Sequence, residues 1–140
     1  MMAKKQENRP KRILITEDEL LLAELLKDRL ASMGYDVAVV ENGAQALEFL
    51  SGPGADAVLM DVVMPVMDGW EATRRIKAAA QWRHIPVITL TGRARNEDKQ
   101  ESFNAGCDDY LAKPFRFEDL KTILAKWVPL DPKTWKGSTS

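Results

Sequence analysis

The chain has a single cysteine, Cys107, so no disulfide can form within it. Such usage fits a reducing compartment, and a cytoplasmic setting is expected. Charge is not in excess either: 20 Lys and Arg stand against 21 Asp and Glu, with the basic residues spread over several elements. That balance excludes the dense basic footprint behind non-specific nucleic-acid binding, so no nucleic-acid partner is expected. No apolar run approaches the roughly 18 residues of a membrane span, so no membrane partner is expected. The basic start, Met1 to Lys11, lacks the apolar stretch of a secretory signal and reads as a leader. There is one histidine, His84, in the loop Arg83-His84-Ile85-Pro86 that enters a strand. It lies at the opposite end of that strand from the acids described below, so no phosphohistidine role is expected. Internal repeats are absent.

What the sequence does have is alternation. Apolar runs at 12–16, 35–40, 56–60, 85–90 and 109–112 are each followed by an amphipathic segment. Short apolar runs bounded by turn residues read as buried parallel strands. The first helical segment places Leu22, Leu25, Leu26, Leu30 and Met33 on one face and meets a stop at Gly34. The second opens on Asn42 with Gln45 three residues on, a variant capping box, and carries Ala46, Leu47 and Leu50. The third opens on Asp68 with Glu71 at the third helical position and runs to about Ala80. The fourth, from Asn96 through Phe103 to Gly106, is almost wholly polar at 93–102 and is expected to bury little and to be weakly held. The fifth carries Leu120, Ile123, Leu124 and Trp127 and stops before Pro129. Strand–helix alternation of this kind predicts an α/β fold, a doubly wound parallel sheet with right-handed crossovers. The expected boundaries are a flexible leader at 1–10, one domain at 11–129 and a flexible tail at 130–140.

The strand ends carry the chemistry. Glu17, Asp18 and Glu19 follow Ile13-Leu14-Ile15-Thr16, and Asp61 follows Val58-Leu59-Met60. Thr91 follows Val87-Ile88-Thr89-Leu90, and Lys113 follows Tyr110-Leu111-Ala112. In open α/β sheets the carboxyl edge of the strands is where ligands bind. A carboxylate there is costly unless it is paired or bound to a metal. Acids from two strand ends suit Mg²⁺, a hard cation that takes oxygen ligands. One carboxylate is then left as a nucleophile that would form an acyl phosphate, with the hydroxyl and the ammonium meeting phosphoryl oxygens. Each residue alone has a plainer reading: Asp61 as a cap, Thr91 in a turn, Lys113 on the surface, Tyr110 in the core. Met60, Met64 and Met67 read as packing, and Cys107 as a small buried residue. Leu20 and Leu21 open the first helix beside the acids, with Leu21 off the apolar stripe.

Residues 11–129 resemble the receiver domain of two-component response regulators. The resemblance rests on Ile13-Leu14-Ile15-Thr16-Glu17-Asp18-Glu19, Met60-Asp61 with Met64-Pro65 and Asp68-Gly69, Leu90-Thr91-Gly92, and Asp109-Tyr110 with Lys113-Pro114-Phe115. The successive intervals from Asp18 to Asp61, from Asp61 to Thr91 and from Thr91 to Lys113 are 43, 30 and 22 residues, and the ordered set is far more specific than any piece. It implies a flavodoxin-like five-stranded sheet in the order 2-1-3-4-5. It further implies Asp61 as phosphoacceptor, and Glu17, Asp18, Asp61 and the Val63 carbonyl around Mg²⁺. Thr91 and Lys113 would contact the phosphoryl group, Tyr110 would be an aromatic switch, and Lys113-Pro114 would be a cis peptide. Val63 and Arg93 would flank the site. The implied partners are a histidine kinase or histidine phosphotransfer protein, docking near Leu20 and Leu21, and a downstream protein at the face of the fourth helix, fifth strand and fifth helix.

Two departures stand out: Glu17 replaces a common Asp, and Val63 is apolar where it would otherwise orient a water. The site is therefore expected to accept a phosphoryl group, with no strong acceleration of its hydrolysis, and not to turn over as an enzyme. A phosphatase with an aspartyl nucleophile would want an acid at position 63. A phosphorylation-independent binding module would not need the intact acid set. A stand-alone regulator or phosphorelay shuttle is the favoured setting, with a receiver from a hybrid histidine kinase as the alternative.

Overall fold

The computed structural model describes residues 9–92 and 95–131. Five parallel strands form one sheet in the order β2-β1-β3-β4-β5. They are β1 (Arg12–Thr16), β2 (Asp36–Val40), β3 (Ala57–Asp61), β4 (Val87–Thr91) and β5 (Asp109–Ala112). Five helices alternate with them: α1 (Leu20–Met33), α2 (Gly43–Ser51), α3 (Gly69–Ala78), α4 (Asn96–Asn104) and α5 (Phe117–Trp127). This is the expected doubly wound fold.

Successive strand residues face opposite sides of the sheet, and the buried set splits accordingly. Ile13, Ile15, Leu59, Ile88 and Leu90 pack with Leu26, Leu30, Leu120 and Leu124 under α1 and α5. Leu14, Val58, Met60 and Val87 pack with Ala46, Leu50, Ala72 and Ile76 under α2 and α3. Each fully buried Leu or Ile contributes about 1.5–3 kcal/mol relative to exposure. Continuous apolar strands are therefore what a sheet covered on both faces requires.

The local signals act as read, with a few shifts. Gly34 ends α1 in the left-handed region at φ 115°, its N–H bonding back to Ala31 and Leu30 carbonyls. The Asn42 side chain accepts from the Gln45 N–H at 2.9 Å, while Gln45 reaches past the cap to the Glu41 N–H at 2.7 Å. Asp68 caps α3 by accepting from the Glu71 N–H at 2.9 Å. Two strands shift by one or two residues, to Ala57–Asp61 for β3 and Val87–Thr91 for β4, and three further expectations need correction. Leu25 is 55% exposed, because α1 turns its buried stripe through Ala23, Leu26 and Leu30. Helix α3 stops at Ala78, where Ala79 turns to an extended backbone. Tyr35 lies outside β2, its hydroxyl donating to the Val128 carbonyl at 2.8 Å and tying the end of α5 to the entry of β2.

Helix α4 contributes no residue to either apolar cluster. Its buried residues are Asp98 and Ser102, both polar, and Phe103 is 41% exposed. The expected shortage of apolar burial is present, but the contact is made by polar side chains.

Candidate functional site: an acidic cleft at the strand ends

Strand register brings the predicted residues to one edge. Thr16 lies beside Met60, Asp61 beside Leu90, and Thr91 beside Ala112. The residues ending these strands, Glu17, Asp61, Thr91 and Lys113, thus share the carboxyl edge of the sheet. The chain leaves each strand under control. The Glu17 N–H donates to the Val40 carbonyl at 3.0 Å, extending the β1–β2 ladder by one residue. The Lys113 N–H donates to the Thr91 carbonyl at 2.8 Å. The Lys113–Pro114 peptide bond is cis. Gly69 is seated on the Asp61 carbonyl so closely that a Cβ there would collide with it, and its N–H donates to the Val62 carbonyl at 2.9 Å.

Glu17, Asp18 and Asp61 each offer a carboxylate oxygen, all within 4.8 Å of one another. Glu17 is 1% exposed and Asp61 5% exposed, whereas Asp18 faces solvent. The Lys113 ammonium is 2.8 Å from Glu17 Oε1, 3.5 Å from Asp61 Oδ1 and 3.9 Å from Glu19 Oε1. The other Glu17 oxygen accepts from the Glu19 N–H at 3.2 Å. Asp61 Oδ1 also accepts from the Val62 N–H at 2.9 Å.

The electrostatics follow from these distances. Burial and the neighbouring Glu17 push the Asp61 carboxyl up to about 7, against the smaller opposing pulls of Lys113 and the Val62 N–H. For Lys113, burial works against the ammonium. The hydrogen bond to Glu17 and the charges of Asp61, Glu17 and Glu19 outweigh it and raise its pKa. One cation thus serves several acids. A cluster of this kind fits a divalent cation: three oxygens in reach, hard donors, and uncompensated negative charge.

The remaining predicted residues surround this centre. Thr91 is buried at the end of β4. Val63 is 54% exposed on the loop after β3, and Arg93 lies outside the described residues. Tyr110 is half-buried on β5, with its ring 6.4 Å from Phe103 and the Lys99 ammonium 5.9 Å from its centre. Burial, with Asp98 adding to it, pushes its hydroxyl pKa up. Leu20 and Leu21 are 63% and 86% exposed at the start of α1, and Val66 in the loop between β3 and α3 is 84% exposed. His84 is exposed in the loop before β4.

Two contacts were not foreseen. Glu17, not Asp61, is the nearer partner of Lys113. The longer Glu side chain is the signal: it reaches further than Asp would. The second is Trp70, whose indole N–H donates to the Ser102 hydroxyl at 2.8 Å, joining α3 to α4. A tryptophan on a polar turn needs a partner for its N–H, and that need could have pointed to it.

Residues 13–125 match the family model of the response regulator receiver domain, and the chain belongs to that family. It is 34% identical over 126 residues to the response regulator MprA of Mycolicibacterium vanbaalenii, covering 87% of this chain and 54% of that protein. The chain thus spans about half the length of such relatives. It is 33% identical over 130 residues to hybrid signal transduction histidine kinase I of Dictyostelium discoideum, covering 85% of this chain and 8% of the kinase. Among solved structures it resembles the receiver domain of sensor histidine kinase PA1611 from Pseudomonas aeruginosa, which has a magnesium ion in its active-site cleft. That similarity has a TM-score of 0.78 at 40% identity, over 84% of this chain and 97% of that one. Chemotaxis protein CheY4 of Vibrio cholerae aligns with a TM-score of 0.80 at 28% identity, over 85% and 99% of the two chains.

Proposed function

We propose that this receiver accepts a phosphoryl group on Asp61 from a phosphohistidine of a histidine kinase or histidine phosphotransfer protein. The observation that carries this reading is the Asp61 carboxylate itself. It is buried, with Glu17 and Asp18 oxygens within 4.8 Å and the Lys113 ammonium at 3.5 Å. An Asp61 oxygen attacks phosphorus, the phosphorus–oxygen bond forms as the phosphorus–nitrogen bond breaks, and the imidazole leaves neutral, keeping the proton already on its second ring nitrogen. Glu17, Asp18, Asp61 and the Val63 carbonyl would hold Mg²⁺, which supplies positive charge to the transferring phosphoryl oxygens. Thr91 and Lys113 would meet those oxygens from the ends of the fourth and fifth strands. Tyr110 and the α4-β5-α5 face would carry the change to a downstream protein.

The chain is an acceptor and not a turnover enzyme, because apolar Val63 leaves no general acid two residues after Asp61. Labelling with acetyl phosphate or phosphoramidate, followed by intact-mass measurement, tests the assignment. The adduct should require Mg²⁺ and vanish in Asp61→Asn; an equal yield in that variant would refute it. A stand-alone regulator is one setting for this chemistry. A hybrid kinase is the second, favoured by the 40% identity to the receiver of sensor histidine kinase PA1611. Phosphotransfer rates from a phosphotransfer protein and from a kinase's own histidine discriminate the two.

A further inference from the structure

Helix α4 is fastened in an unusual way. Its apolar contribution to the core is nil, and its buried residues are Asp98, 5% exposed, and Ser102, 1% exposed. Ser102 Oγ receives the Trp70 indole N–H at 2.8 Å and lies 3.2 Å from the Asp98 carbonyl, one turn back in the same helix. A second tie runs alongside, with an Arg74 guanidinium nitrogen 3.6 Å from Glu101. Trp70 and Arg74 both belong to α3. The first turn of α3 is itself seated on the phosphoacceptor: Gly69 abuts the Asp61 carbonyl, and Trp70 is the next residue. A steric contact, one peptide link and one hydrogen bond therefore join the end of β3 to the last turn of α4. This route bypasses Thr91 and Tyr110.

We propose that Trp70 is a positioning residue: its hydrogen bond to Ser102 holds α4 to the first turn of α3 and couples α4 to Asp61. The inference has two parts. The fastening stands on the geometry alone, and the coupling rests on the phosphoacceptor reading of Asp61. A helix with so little apolar burial depends on its polar contacts, and among the described residues this hydrogen bond and the Arg74–Glu101 pair join it to α3.

Two variants of the full chain cut the bond from either side. Trp70→Phe keeps an aromatic ring and deletes the donor, and Ser102→Ala deletes the acceptor in a buried place that tolerates a methyl group. Native-state amide exchange, with no phosphoryl compound present, reads the fastening. Residues 96–104 should exchange about two- to tenfold faster in either variant, with β1 and β3 unchanged, as the loss of one net hydrogen bond requires. The double variant should exchange no faster than the more affected single one. Exchange within the error of the parent in both single variants, or acceleration spread evenly over the whole domain, would overturn the fastening. Titration with Mg²⁺ and trifluoroberyllate, an acyl-phosphate mimic, reads the coupling. Each variant should change the mimic's affinity at Asp61 at least about twofold, because linkage is reciprocal. Equal affinities in parent and variants would overturn the coupling. A parent chain that fails to bind the mimic at all would sink the phosphoacceptor reading and the coupling with it, while the exchange result still decides the fastening.

Discussion

Neutralising Asp61 should stabilise the metal-free chain. The carboxyl is 5% exposed, and its pKa rises from 3.8 to about 7 through burial and the proximity of Glu17. The folded value therefore lies above the unfolded one, and between them the folded state binds more protons. Stability falls as pH rises through that window and levels off above the folded pKa. A shift from 3.8 to about 7 corresponds to roughly 4 kcal/mol, at 1.36 kcal/mol per unit, by pH 8. That is an upper figure, since Glu17 and Asp61 titrate as a pair. Asn at this position keeps an oxygen for the Val62 N–H, and Lys113 keeps its 2.8 Å contact with Glu17. Asp61→Asn should thus gain about 2–4 kcal/mol at pH 8 in chelator, on the order of 10 °C in Tm.

Urea unfolding followed by tryptophan fluorescence measures it. The parent should lose stability from pH 5 to 8, and the variant should be flat across the same range. Millimolar Mg²⁺ should stabilise the parent and leave the variant nearly unchanged, because a ligand stabilises only the form that binds it. A variant equal to or less stable than the parent at pH 8 in chelator would refute the electrostatic argument. Equal stabilisation of both by Mg²⁺ would refute the place of Asp61 in the cation site.

Three other substitutions have definite expectations. Thr16 is fully buried and its hydroxyl has no hydrogen-bond partner among the described residues, so Thr16→Val should be neutral or stabilising by about 1 kcal/mol in urea unfolding. A loss of that size would mean the hydroxyl has a partner. Tyr35→Phe deletes the buried 2.8 Å bond to the Val128 carbonyl and should cost about 1–2 kcal/mol, read as a lower urea midpoint; an unchanged midpoint would show that water replaces it. Gly69→Ala places a methyl group against the Asp61 carbonyl, which backbone cannot yield cheaply. It should cost about 1–3 kcal/mol and lower phosphoryl labelling, and wild-type stability with full labelling would show that the turn has slack.

The sheet was legible because its strands are buried on both faces and so read as unbroken apolar runs. The site was legible because acids, a hydroxyl and an amine follow those runs, and parallel register must carry them to one edge. Where the reading faltered, several outcomes shared one pattern. Leu22, Leu25 and Leu26 all fit a helical stripe, and only the angle at which α1 meets the sheet leaves Leu25 55% exposed. The polarity of helix α4 predicts little apolar burial, but it does not show that Ser102 lies 1% exposed under a tryptophan. That contact joins residues 32 apart in the chain, and neither has a periodic pattern that names the other. Nor does spacing reveal that Lys113 sits nearer Glu17 than Asp61, a matter of side-chain length at a crowded edge.

The cost of Asp61 and the chemistry proposed for it share an origin. Glu17, Asp18 and Asp61 bring three carboxylates within 4.8 Å, while Lys113 stands 2.8 Å from one and 3.5 Å from another and cannot neutralise both. The imbalance destabilises the fold, as the pKa of about 7 registers. It is also what a divalent cation would relieve. A site built of apolar residues, or of acids each with its own lysine, would be more stable and would have no reason to bind one. The strain is small beside the burial of the two apolar clusters, so the fold tolerates it, and functional sites commonly sit at such unbalanced positions. The position of Glu17 follows the same logic. Its longer side chain draws Lys113 toward itself and leaves Asp61, at 3.5 Å, the less compensated anion, which is the one proposed as the nucleophile.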